Sequence, residues 1–174
     1  MRYDNYQELN SIFWNNLNTE KIEMLTNLVD ENKGVLYSSR HRELIQKILD
    51  NSSFNNVLAP AFGLGLTISS VKNKRIVAFE ENDSFYKLAK LIWEDKDINL
   101  INSDFLREDV VDKYEAIIFT SPCGWVKTAE RGVRLEREYI NKALNCLDNN
   151  GIMVVTVPSN VLTATLWQET RQII

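Results

Sequence analysis

The stretch Asn55–Ser70, NNVLAPAFGLGLTISS, decides how the rest of the chain is read. A short apolar run, Val57-Leu58-Ala59, leads through Pro60, Ala61 and Phe62 to Gly63 and Gly65 and then to a second apolar segment. Glycines between a strand and a helix let the backbone turn tightly and let a ligand come close. The helix start that follows presents unpaired amide groups. An ordinary strand-to-helix turn also contains Gly-x-Gly, so the flanking pattern has to discriminate.

Outward from this loop the chain alternates. RIVAFE (75–80), INLINSD (98–104), EAIIFT (115–120) and GIMVVTVP (151–158) read as further strands. GLTISSVK (65–72) begins a helix. NDSFYKLAKLIWED (82–95) is a helix with Phe85, Leu88, Ala89 and Ile92 inward. REYINKALNCLDNN (137–150) is another, with Tyr139, Ala143, Leu144 and Leu147 inward, and LTATLWQETRQII (162–174) opens a last one. Strands separated by helices imply right-handed crossovers and a mostly parallel sheet with flanking helices. The runs IIF and IMVVTV suit strands covered on both faces. Upstream, Tyr6, Leu9, Ile12 and Phe13 fall on one helical face, Ile22, Leu25, Leu28 and Val29 on a second, and RHRELIQKILD (40–50) forms a third helix. The expected organisation is a helical segment over 1–50 and an α/β core over 51–174.

In an open parallel sheet, ligands sit at the carboxyl ends of the strands, near the switch in strand order. The tips here read APAFGLG, EEND, NSDF, TSPCGW and VPSN. Glu80 ends the second strand near the separation at which nucleotide folds place an acid on ribose hydroxyls. The alternative is a solvated acid at a helix start, in company with Glu81 and Asp83. Asp104 can accept from an exocyclic adenine amine while Phe105 covers the base; alternatively Asp104 only turns the chain. A dinucleotide fingerprint wants a third glycine where this chain has Ile68, and its loop is narrower. The wider loop suits a mononucleoside with a non-phosphate tail, such as S-adenosylmethionine.

The totals set bounds. The chain has 174 residues, enough for one domain, with 44% hydrophobic and 25% charged residues. A formal net charge of -4 gives no global attraction to nucleic acid. Two cysteines, Cys123 and Cys146, form no CxxC pair and read as free thiols in a reducing cytoplasm. With one histidine, His41, no zinc site is expected. No apolar run approaches the roughly 20 residues of a membrane span, and the polar N-terminus lacks a signal-peptide layout.

The strand-tip motifs resemble those of the N-6 adenine DNA methylases, S-adenosylmethionine-dependent enzymes of restriction-modification systems with a Rossmann-like class I methyltransferase fold. NNVLAPAFGLGLTISS resembles their VLDPACGSG loop, IVAFEEND their second motif and INSDFL their third. YEAIIFTSPCGW stands at their DVIVANPPFG catalytic motif, and LDNNGIMVVTVPSNVL resembles their LKPGGRLAVIVPSGVL strand. GVLYSSRHRELIQKIL resembles the GxFYTP segment before the fold. The resemblance runs from about Gly34 to the C-terminus. It implies S-adenosylmethionine as cofactor, with Pro60, Ala61, Gly63 and Gly65 in its loop, Glu80 on its ribose, Asp104 and Phe105 at its adenine, and Tyr37 bordering it. Thr120, Ser121, Pro122 and Cys123 would be the catalytic segment.

The departures carry chemistry. The acid that opens the family's first motif is Ala59, and Asn-Pro-Pro-Phe is replaced by Thr120-Ser121-Pro122-Cys123. An adenine amine is a poor nucleophile, because its lone pair is delocalised into the ring. In the family an Asn carbonyl and a backbone carbonyl accept its hydrogens, and the aromatic ring stacks on the flipped base. A Thr120 hydroxyl accepts one hydrogen bond but is shorter and also donates. Ser121 keeps its carbonyl. Cys123 cannot stack; Trp125, two positions on, either stacks on a base or packs on the adjoining helix. Lys127, Arg131, Arg134 and Arg137 either contact phosphate near the cleft or, interleaved with Glu130, Glu136 and Glu138, form a solvated, self-paired face; the interleaving favours the second.

The resemblance also implies seven strands, of which five are readable. The expectation is a fragment of a longer protein that contacts DNA through regions outside this chain, with a specificity subunit or a second copy as partner. Three functions stay open: a DNA adenine methylase of weakened activity, a non-catalytic cofactor-binding or assembly subunit, and a methyltransferase acting on RNA or protein.

Overall fold

The computed structural model describes residues 39–69, 71, 74–94, 96–127 and 132–173. The first two expected helices and Tyr37 lie outside the described residues. The Val57-Leu58-Ala59 run forms β1 (Asn56–Ala59), and its three apolar side chains are buried. That double-sided burial follows from its central place in a sheet ordered β3 (Ile98–Ile101), β2 (Arg75–Phe79), β1, β4 (Tyr114–Thr120), β7 (Leu147–Thr156). Every neighbouring pair in this sheet is parallel. A separate antiparallel hairpin, β5 (Trp125–Lys127) and β6 (Gly132–Arg134), follows the tip of β4.

The period of two along each strand sorts side chains onto two faces. Val57, Ala59, Ile76, Ala78, Ala116 and Ile118 face one side and meet Ile45 and Leu49 of α1 (Ser39–Asp50) and Leu88, Ala89 and Ile92 of α2 (Asp83–Ile92). Leu58, Val77, Phe79, Ile117 and Phe119 face the other and meet Tyr139, Ile140 and Ala143 of α3 (Leu135–Cys146). The result is a three-layer α/β sandwich. The start of α2 is set by Asn82, whose side chain accepts from the amides of Ser84 and Phe85.

Three helix expectations are corrected. The segment after the glycine loop makes only a 3-10 turn, Leu66–Ile68. Thr67, Ile68 and Val71 are β-branched and Ser69 competes for its own backbone, so local propensity is poor for an α-helix. The helix expected over 137–150 spans Leu135–Cys146, and β7 starts at the next residue. Its register jumps from Tyr114↔Leu147 to Ala116↔Ile152, so the residues between bulge from the ladder. Gly151 is required there, because a Cβ would lie 2.8 Å from Leu147 Cδ1 and 3.0 Å from the Tyr114 carbonyl. The final expected helix is broken into α4 (Asn160–Thr163), a 3-10 turn (Thr165–Trp167) and α5 (Gln168–Ile173). Arg171 Nη1 holds the bend by donating to the carbonyls of Val161 and Ala164, each at 2.9 Å.

Candidate cofactor and acceptor site

From β1 the chain moves outward to β2 and β3, then returns to β4 on the opposite side of β1. The switch in strand order therefore lies between β1 and β4, and the glycine loop leaves β1 there. Phe62 N–H donates to the Phe79 carbonyl at 2.9 Å, drawing this loop over the end of β2. Gly63 N–H then donates to Glu80 Oε2 at 2.7 Å, and Asn82 N–H to Glu80 Oε1 at 2.8 Å. Glu80 is only 8% exposed, so it is not the solvated acid of the alternative reading. Burial pushes its carboxyl above the usual range, against the two amide bonds that pull it down. Each carboxylate oxygen keeps a further lone pair for a ligand hydroxyl.

The two glycines do different work. Both are left-handed, with φ of 56° at Gly63 and 75° at Gly65. A Cβ on Gly63 would meet nothing within 4 Å, leaving its surface open to a ligand. One on Gly65 would lie 2.6 Å from the Phe62 ring and 2.6 Å from Trp93 Nε1. Gly65 thus admits the packed pair of Phe62 and Trp93, whose indole N–H donates to the Leu64 carbonyl at 2.9 Å. Pro60 is buried and Ala61 half-buried beside them, and Ala59 lies in the core.

Asp104 caps the 3-10 turn Phe105–Arg107, accepting from Leu106 N–H at 2.9 Å. The same oxygen accepts from the Tyr139 hydroxyl at 3.3 Å, and Arg107 Nε lies 3.4 Å from the other oxygen. Phe105 is fully buried, packed on Phe79 and Tyr139 with ring centres 5.5 and 5.8 Å away, and the Lys142 ammonium sits 4.9 Å over its ring. Its ring is a core element and not an open cover. Tyr139 is the residue that sequence reasoning placed only in the core. Its ring lies 6.4 Å from Phe119 of β4 while its hydroxyl reaches the β3 tip. Burial first, then the charge of Asp104, raises its phenol pKa.

At the tip of β4, Thr120 stands opposite Thr156, and Ser121 N–H donates to the Thr156 carbonyl at 3.0 Å. The Thr120 hydroxyl is buried without a hydrogen-bond partner, and Ser121 is also buried. Cys123 is exposed, its Sγ 3.7 Å from the Ser121 carbonyl. Desolvation and the negative charge of Glu136 push its thiol up, while Arg134 pulls it down. Trp125 does not pack away on a helix. It stands 61% exposed on the hairpin, with the Arg134 guanidinium 5.0 Å from its ring centre. The same guanidinium lies 5.9 Å from the buried Trp167 ring and pairs with Glu136. Glu136 is 0% exposed, so the expected solvated charge face is, at Arg134 and Glu136, an ion pair between a half-buried guanidinium and a buried carboxylate. Charge alternation alone could not reveal this. Among the described residues, no cluster of three metal-ligating side chains occurs, and no helix is long and apolar enough to cross a membrane.

The strand order, the glycine loop on β1 and the acid closing β2 together define the fold of class I S-adenosylmethionine-dependent methyltransferases. A Listeria monocytogenes protein assigned to that class superposes on 99% of this chain with a TM-score of 0.69 at 14% identity, the match spanning 61% of that structure. The type I restriction-modification methyltransferase subunit from Streptococcus thermophilus superposes on 79% of the chain with a TM-score of 0.63 at 15% identity, over 37% of its own length. In sequence, the type II methyltransferase M.AccI from Acinetobacter calcoaceticus is 27% identical across 67% of this chain. The chain spans about a quarter, 26%, of that curated relative. No protein-family model matches the sequence. The chain is thus similar in fold to S-adenosylmethionine-dependent methyltransferases and, at low identity, similar in sequence to a restriction-modification methyltransferase.

Proposed function

We propose that this chain is the S-adenosylmethionine-binding core of an amino-methyltransferase that acts on adenine in DNA, with weakened chemistry at the 120–123 loop. The cofactor reading rests on one observation above others: the Glu80 carboxylate, held by the Gly63 amide at the strand-order switch. The open side of Gly63 and the spare lone pairs of Glu80 fit an adenosyl ribose edge. Asp104 would take the adenine amine from the next tip, with Tyr139 orienting its carboxylate. Bound there, the sulfonium group supplies an activated methyl; the chain's own part is to hold the acceptor nitrogen before it.

Weakened chemistry follows from the loop. Thr120 offers a hydroxyl sealed from solvent where an amide carbonyl is wanted, and Cys123 offers no ring. Electrostatic positioning of this kind is typically worth about 3 kcal/mol per group, so losing one costs roughly a hundredfold in rate. The same observation favours a second reading, a non-catalytic cofactor-binding subunit of a restriction-modification assembly. Calorimetric titration with S-adenosylmethionine tests the part common to both, and micromolar binding is expected. Methyl transfer to unmethylated DNA by the longest native chain then separates them. Thr120→Asn with Cys123→Phe should raise the rate if only the loop is deficient, and an unchanged zero rate would leave the subunit reading. Labelled RNA and protein acceptors in the same assay test the remaining substrate classes.

A further inference from the structure

The glycine loop is not supported in the way its sequence promises. An α-helix after Gly65 would hold the loop from behind and present free amides to it. Among the described residues the chain makes instead a three-residue 3-10 turn, Leu66–Ile68, and enters β2 at Arg75. Support comes from the far end of α2. Trp93 caps that helix, its backbone N–H donating to the Ala89 carbonyl, and the residue is buried. Its indole N–H donates to the Leu64 carbonyl at 2.9 Å. Its ring meets Phe62 edge-on, with 6.0 Å between ring centres and 68° between planes. Gly65 makes room for both contacts, since a Cβ there would lie 2.6 Å from Phe62 and from Trp93.

Gly63 is therefore held from two sides. On the sheet side, Phe62 N–H donates to the Phe79 carbonyl and Gly63 N–H to Glu80. On the α2 side, Trp93 grips both neighbours of Gly63, Phe62 through its ring and Leu64 through its carbonyl. Leu64 is buried, so its carbonyl has to be paired inside the protein. Without the indole N–H, the Leu64–Gly65 peptide would rotate toward another donor, and Gly65 allows that rotation. We propose that Trp93 is a positioning residue of the cofactor site: its N–H fixes the Leu64–Gly65 peptide and so keeps the Gly63 amide on Glu80. It acts from behind, because a Cβ on Gly63 would meet nothing within 4 Å and the ligand side stays open. The role rests on the cofactor reading of Glu80. Burial raises the Glu80 carboxyl, the Asn82 and Gly63 amides pull it down, and the Glu81 charge raises it. From α3, the Tyr139 phenol bonded to Asp104 also lies near it. Of these groups, only the Gly63 amide belongs to the loop that Trp93 holds. Losing that amide bond raises the carboxyl further, so the ionised form that receives ribose hydroxyls appears at higher pH.

The test uses the full chain. Trp93→Phe and the isostere benzothienylalanine at the same position both remove the N–H, and the isostere keeps the bicyclic shape. Leu88→Ala, in the same helix and the same core, controls for lost packing. The Glu80 carboxyl is titrated by carbon NMR in the cofactor-free chain, its signal assigned by its loss in Glu80→Gln. S-adenosylhomocysteine affinity is measured by calorimetry across the same pH range. Both changes at Trp93 should move the Glu80 midpoint up by about half a pH unit or more. They should weaken S-adenosylhomocysteine about tenfold at neutral pH, and the rise of affinity with pH should shift with the carboxyl. Leu88→Ala should lower stability in urea while leaving the midpoint in place and the affinity within twofold. Should Trp93→Phe not fold, the isostere decides. An unmoved Glu80 midpoint in the isostere, an unchanged affinity, or an equal shift in Leu88→Ala overturns the role. A moved midpoint in a chain whose wild type does not bind S-adenosylhomocysteine upholds the hold of Trp93 on the Gly63–Glu80 contact and sinks the cofactor reading.

Discussion

Among single residues, Glu80 and the two loop glycines carry the sharpest consequences. Burial raises the Glu80 pKa, so the folded chain binds its proton more tightly than the unfolded one does. Its contribution to stability is therefore full below the ordinary carboxylate pKa of about 4.3 and is lost as pH rises through the raised value. Cofactor binding carries the opposite sign. Ribose hydroxyls donate to the ionised carboxylate, so S-adenosylmethionine affinity should rise with pH across the same window, with proton release on binding at its lower end. Calorimetry in two buffers of different ionisation enthalpy measures that release, and Glu80→Gln should abolish it. The glycines separate stability from binding. Gly65→Ala forces a Cβ against Phe62 and Trp93 at a left-handed φ and should cost about 2–5 kcal/mol in chemical denaturation. Gly63→Ala meets open space and should cost only about 1–2 kcal/mol of backbone strain while weakening the cofactor tenfold or more. Neither distinction was legible in the letters. Both glycines follow β1 at a turn, and only the position of Trp93, on a distant helix end, tells them apart.

At the level of elements, the strands were readable and the helices less so. Val57-Leu58-Ala59 and Ile117-Ile118-Phe119 are continuous apolar runs, and such runs persist only where both faces of a sheet are covered. The boundary between α3 and β7 was not readable, because Leu147-Asp148-Asn149-Asn150 extends the helical pattern while Gly151 is committed to a bulge against Tyr114. The strand tips were legible as an order and not as contacts: the hydroxyl of Tyr139 on Asp104 and the burial of Glu136 follow only from the docking of α3. That docking depends on Lys142. Its ammonium donates to the carbonyls of Phe105 and Glu108, holding the turn that Asp104 caps onto α3. Lys142→Met keeps the apolar stem and removes both of these hydrogen bonds, the Phe105 carbonyl keeping only the Glu108 N–H. It should cost about 1–3 kcal/mol in urea unfolding. It should also weaken S-adenosylmethionine binding several-fold, because Asp104 loses its fixed turn. A loss of stability without any loss of affinity would remove Asp104 from the cofactor site.

For the whole molecule, the exposed surface of the sheet decides what the chain meets. Among the described residues β7 pairs in the sheet with β4 and stands at its edge. Its side chains are apolar on both faces: Ile152 and Val154 lean on the α1–α2 side, and Met153 and Val155 on the α3 side, all only partly buried. An apolar edge strand is a template for another strand. The net charge of -4 opposes this weakly, because Debye screening reaches about 8 Å at physiological salt. The expected result is concentration-dependent association of this chain, pairing β7 with a second copy or with a strand of a partner subunit. Sedimentation velocity across a hundredfold range of concentration measures it. Val155→Lys, which puts an ammonium on the edge strand, should return the chain to a monomer. A chain that stays monomeric at the highest concentration would mean that the β7 edge is guarded.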